Sequence, residues 1–178
     1  NSFTHCCCTA HGSMGLYYVW EATVRCKNEV ARVNLLLNRA SPWLDVDSYL
    51  PYEGKAVIKN KTAKKIFIRI PFWVDKEAVK SHVNEQETSL YWFGNYLAFE
   101  GLQEKDIITI EFPMVETTEK YTLGDKEYIC LFRGNTLVDI SPRDEELGYP
   151  LYLRDHYKQD EAPMKKVERY VSPVIIEW

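Results

Sequence analysis

Apolar and polar positions follow two different rhythms along the chain. Over residues 9–26 (TAHGSMGLYYVWEATVRC), Met14, Tyr17, Tyr18, Glu21 and Ala22 recur at helical spacing, with Thr9 placed to cap the start and Lys27-Asn28 to end it. One helix is expected there. Beyond Asn28 the period shortens from near 3.6 to 2. VARVNLLLNRAS, KAVIKN, KIFIRIPFW, YLAFEG, DIITIEFP, KEYICLFRG and TLVDISP are short β-branched and aromatic runs separated by Gly, Pro, Asn and Asp. KIFIRI and DIITIEF alternate cleanly, as strands do when one face meets a core and the other water, so packed antiparallel sheets are favoured over a parallel one. The expected architecture is mainly β: an antiparallel sandwich, jelly-roll-like, preceded by one N-terminal helix.

Three segments follow from these shifts: residues 1–28 with the cysteines and the helix, 29–116 as the sandwich, and 117–178 as a C-terminal β segment, possibly a short second sandwich. The boundary near Glu116 to Lys120 rests on a polar stretch after FPMVE. Past Pro142 the chain turns acidic, polar and aromatic, which reads as a long surface loop returning to a closing strand at YVSPVIIEW.

Composition narrows the function classes. The 178 residues are 46% hydrophobic and 27% charged, enough to bury a core. A net charge of -4 gives no general basic field, which argues against a nucleic-acid or anionic-membrane binder. No run approaches the roughly 18 apolar residues of a membrane span, so a soluble protein is expected. No basic-then-apolar leader is present, so any signal peptide has been removed or lies upstream, and the compartment, cytoplasmic or periplasmic, is left open.

Five cysteines, three of them contiguous, do not form the pattern of a secreted disulfide framework. Neighbouring thiols bridge poorly, so Cys6, Cys7 and Cys8 suit nucleophile or metal-ligand chemistry better than stapling. A buried apolar cluster at a helix start is the competing reading. His5 and His11 flank the run, yet spacing this tight does not supply four ligands to one tetrahedral ion. Cys26 is expected at a helix end and Cys130 on a core strand.

Other groups have ordinary explanations. Asp45, Asp47 and Glu53 lack the glycine and distal glutamate of a calcium loop, and a solvated strand edge or a domain contact suits them better. Trp43, Tyr49, Tyr52, Trp73, Tyr91, Trp92, Phe93 and Tyr96 are numerous enough to stack sugar rings, though filling the core or an interface is favoured. Arg154, Asp155 and His156 suggest a polarised base, but adjacent side chains on a strand face apart, so a turn ion pair is expected.

The strings HCCCTAHGSMGLYYVWE, VNLLLNRASPWLDVDSYLPYEGK, RIPFWV and PLYLRDHY resemble the β-L-arabinofuranosidase-like glycoside hydrolases of family 127. The resemblance is specific over residues 5–21 and 33–54 and weaker beyond Pro113. It implies the C-terminal portion of a larger enzyme: the end of an (α/α)6 catalytic barrel, then a sandwich, with most of the barrel missing. It also implies a retaining mechanism with a zinc-bound cysteine nucleophile and a glutamate acid/base. By that resemblance Cys7 is the candidate nucleophile and zinc ligand, and Cys8 a second zinc ligand. Cys6 is additional to the pair. The remaining ligands and the acid/base would lie upstream.

Two readings follow. In one, the chain is a non-catalytic fragment whose sandwich braces the barrel, inactive alone, with zinc and an arabinose-containing oligosaccharide as cofactor and substrate of the full enzyme. In the other it is a stand-alone carbohydrate-binding or protein-interaction module. Surface left exposed by the missing barrel would also favour a homodimer.

Overall fold

The computed structural model describes residues 6–143 and 154–171, with side chains from residue 11 onward. Helix α1 (Cys6–Ala22) runs directly into β1 (Val24–Lys27) and β2 (Val30–Val33), followed by β3 (Arg39–Ala40), β4 (Leu44–Ser48), β5 (Lys55–Asn60) and β6 (Lys65–Arg69). A short 3-10 turn (Lys76–Ala78) precedes β7 (Lys80–Val83), β8 (Gln86–Glu87), β9 (Trp92–Phe93), β10 (Tyr96–Glu100) and β11 (Ile107–Glu111). Then come β12 (Glu116–Leu123), β13 (Lys126–Arg133), β14 (Thr136–Ser141) and a second 3-10 turn (Asp155–Lys158).

The helix starts and ends earlier than its spacing predicts, so that Thr9 lies within its first turns and not at its cap. Residues 24–27 fit either period, and they pair in register with β2 as a hairpin. Its two turn residues, Asn28 and Glu29, both have positive φ (52° and 61°), the backbone of a type I′ turn, whose twist matches that of the flanking strands. Cys26 is therefore a strand residue and not a helix-end thiol.

Two sheets form the sandwich, in the orders β1-β2-β6-β10-β9 and β3-β4-β5-β11-β7-β8. Their pairings are antiparallel except β2 with β6. Alternation in the sequence becomes alternation in burial. Ile66 and Ile68 of β6, Leu97 of β10, Ile58 of β5 and Ile108 and Ile110 of β11 are fully buried between the sheets. Each such side chain contributes about 1.5–3 kcal/mol on removal from water.

A three-stranded meander, β12-β13-β14, follows the sandwich. The whole of β12 is exposed, and its Glu, Thr and Lys content suits an edge strand facing water. Residues 154–171 then return as a strap that ties the meander to the sandwich. Arg133, whose side chain is 7% exposed, donates to the carbonyls of Tyr157 (3.1 Å) and Gln159 (2.6 Å) and pairs with Asp160 (2.6 Å) and Glu116 (3.1 Å). Further along, Ala162 N–H donates to the Glu53 carboxylate at 3.0 Å. Arg169 then pairs with Asp45 at 3.2 Å and with Asp47.

Candidate functional site

Helix α1 is closed at its C-terminal end by neighbours that satisfy its last carbonyls. Thr23 Oγ1 donates to the Val19 carbonyl at 3.1 Å, and Asn34 Nδ2 to the Ala22 carbonyl at 2.8 Å. Two further contacts hold its last turn: Glu21 pairs with Arg25 at 2.9 Å, and the Arg39 guanidinium lies over the Trp20 ring, 3.4 Å from its centroid.

Every residue from His11 to Trp20 is nevertheless exposed. Met14, Leu16, Tyr17, Tyr18, Val19 and Trp20 all present apolar surface to water, Leu16 at 74%. A helix that is apolar on several sides is normally buried, and an isolated 17-residue helix is marginal in water. Contiguous exposed apolar surface of this kind is uncommon on a soluble domain with no partner.

Cys6, Cys7 and Cys8 are the first residues of α1. Their side chains, and His5, lie outside the described residues. Among the described residues no group of three or more His, Cys, Asp or Glu is placed to hold a metal ion. The described side chains therefore do not make a zinc site.

The remaining sequence candidates are placed clearly. Cys130 is buried on β13. Cys26 is half-buried, and burial, with Glu29 beside it, pushes its thiol above the ordinary value. Asp45 and Asp47 are each only 7% exposed, so they form a contact with the strap and not a solvated edge. Lys61 pairs with Asp45 at 2.7 Å and Lys59 with Asp47 at 2.9 Å. Burial raises the Asp47 carboxyl, but hydrogen bonds and charge from Lys59 and Arg169 outweigh it and hold it below the usual carboxylate range.

Asp155 pairs with Arg143 and Lys158 at 3.2 Å each, an ordinary turn cluster. His156 stacks instead on Tyr157, with centroids 4.1 Å apart. The aromatics divide. Trp43, Trp73 and Trp92 pack against the core, while Tyr91 and Phe93 are 69% and 74% exposed.

Phe93 belongs to a second feature that composition does not reveal. A cavity of about 430 Å³ opens on the outer face of the five-stranded sheet, lined by Arg25, Arg32, Asn34, Phe67, Phe93 and Tyr96. It meets at Asn34 a second cavity of about 320 Å³, whose lining includes Arg69, Phe72 and Trp73.

The fold is a β-sandwich preceded by one helix and followed by a three-stranded meander, and part of it is similar to solved glycoside hydrolase structures. One is a GH127 β-L-arabinofuranosidase from Geobacillus stearothermophilus T6, with a TM-score of 0.51 and 14% identity, covering 66% of this chain and 21% of that one. Another is a GH127 β-arabinofuranosidase with a TM-score of 0.51 and 19% identity, covering 65% of this chain and 23% of that one. The chain thus spans about a fifth of the length of the structures it resembles. No protein-family model and no curated protein matches it.

Proposed function

We propose that this chain is a non-catalytic portion of a glycoside hydrolase resembling the β-L-arabinofuranosidases, in which the sandwich braces a helical catalytic barrel. The observation that carries this reading is the exposed apolar surface of α1, which needs a helical partner to cover it. The fold likeness to two GH127 structures supports it. In the whole enzyme Cys7 would serve as nucleophile and, with Cys8, as part of a zinc set completed by donors outside the described residues. A zinc ion would supply a stabilised thiolate there. The substrate would be an arabinose-containing oligosaccharide.

An immunoblot of the source cells with antibody against this chain tests the proposal. A band several-fold heavier than 20.9 kDa is expected, and Cys7→Ala in that larger protein should abolish glycoside hydrolysis. A band at 20.9 kDa would overturn it.

A further inference from the structure

We propose that the groove on the outer face of the five-stranded sheet binds a saccharide chain that carries carboxylates. The inference goes beyond the bracing role and uses none of Cys6, Cys7 or Cys8.

The first observation is a charge conflict in the β1–β2 hairpin. Arg25 and Arg32 are direct cross-strand partners, so their side chains share one face. Like charges placed opposite each other destabilise a sheet. Glu21 relieves Arg25 at 2.9 Å. Arg32 is exposed and has no ion pair or hydrogen bond among the described residues. Arg69, also exposed, is in the same position on β6, two residues beyond the parallel neighbour of Arg32. From strand geometry the two backbones stand about 8 Å apart. The nearby acid Glu100 is taken by Lys65. A chain of net charge -4 therefore keeps two guanidinium groups without a protein partner among the described residues, Arg32 in one cavity and Arg69 in the adjoining one, and a local rule broken in this way marks a functional surface.

The second observation is the chemistry around those charges. Phe93 packs edge-on against Phe67 with centroids 6.2 Å apart, which leaves its ring 74% exposed. Phe72, in the adjoining cavity, is 83% exposed. Exposed rings held by their neighbours offer flat apolar faces to the C–H faces of sugars. Asn34 is fixed between them, accepting from the Tyr96 hydroxyl at 2.9 Å and donating to the Ala22 carbonyl at 2.8 Å. Its orientation is set before any ligand arrives.

Guanidinium groups bind carboxylates through paired hydrogen bonds. Two of them, separated along the strand direction and flanked by two aromatic platforms, suit a polymer with repeated carboxylates better than a single small anion. A uronic-acid oligosaccharide supplies both the carboxylates and the stacking faces. A wholly neutral sugar would leave the arginines unanswered.

The test is titration calorimetry on the full chain with a galacturonate tetramer, using a neutral arabinofuranose tetramer as control. The acidic oligomer should bind with a Kd below about 1 mM, and the neutral one at least about ten-fold more weakly. Arg32→Gln and Phe93→Ala should each weaken binding by about five-fold or more while leaving the circular dichroism unchanged, and Arg32→Gln, which relieves the like-charge pair, should not lower the melting temperature. Raising NaCl from about 50 to about 500 mM should weaken binding of the acidic oligomer. Equal binding of both oligomers, or undiminished binding by Arg32→Gln, would overturn the proposal. So would no binding at about 5 mM. None of these outcomes bears on the size of the native polypeptide, so the two proposals fail separately.

Discussion

Arg39 lies over the indole of Trp20 at 3.4 Å from its centroid, and this contact joins α1 to the edge of the six-stranded sheet. Burial lowers the Arg39 pKa, with Glu21 and Tyr17 opposing that shift, so the guanidinium is partly stripped of water where it meets the ring. Cation–π contacts strengthen under those conditions. Trp20→Ala should remove about 1 kcal/mol of helix attachment. Hydrogen exchange should then accelerate in Cys6–Ala22 while the sandwich strands keep their protection. Unchanged exchange in the helix would show that Glu21, Thr23 and Asn34 suffice to hold it.

Arg133 gathers the strap at one buried point. Its partners Glu116 and Asp160 are 55% and 91% exposed, so both rehydrate easily when the guanidinium is removed. The loss is then mainly that of the charged hydrogen bonds, and Arg133→Met should cost about 1.5–3 kcal/mol. Urea unfolding would measure the cost. Proteolysis should move to residues 154–171 before it reaches the sandwich.

Gly54 permits a close backbone approach in the sandwich. A Cβ there would stand 1.9 Å from the Phe112 carbonyl oxygen, a backbone atom, while the Gly54 carbonyl accepts from Phe112 N–H at 2.8 Å. Gly54→Ala must separate β5 from the end of β11, at a cost of about 3 kcal/mol. A drop in melting temperature is expected, and an unaffected melting curve would contradict this packing.

The strap clamp should respond to acid and be indifferent to neutral pH. Asp47 has a lowered folded-state pKa. It therefore stabilises fully above the unfolded carboxylate value of about 3.9 and loses that contribution as pH falls through the lower folded value. Amide protection in residues 160–171 should be level from about pH 8 to about pH 5 and should fall below about pH 4. Asp47→Asn should remove that acid-side step.

What the residue pattern conveys is local. The isoleucines of KIFIRI and DIITIEF announce their buried face because strand alternation alone decides it. Thr23 to Cys26 misleads because VRC satisfies both periods, and only the positive-φ turn at Asn28 and Glu29 settles the pairing. Asp45 and Asp47 alternate like solvated strand residues. They are buried because Arg169 lies over them, 122 residues away from Asp47, a distance no local pattern carries. Arg25 and Arg32 become opposed only through the hairpin register, so neither stands out in the sequence. The exposed state of α1 is anticipated only through the resemblance, which implies a missing barrel, since helical spacing predicts a face without saying what meets it.

The strap has a consequence for how the chain assembles. Its contacts join residues 109 and 122 positions apart, from Glu53 to Ala162 and from Asp47 to Arg169. Closing such long loops is entropically slow, and each contact requires β4 and its neighbours already in place. During synthesis the sandwich emerges long before residues 154–171 and must fold without them, since domains form in order from the N-terminal side. The strap is then a late latch. Until it arrives, Asp45 and Asp47 keep their ion pairs with Lys61 and Lys59 but lack Arg169, and the nascent sandwich carries these pairs uncovered.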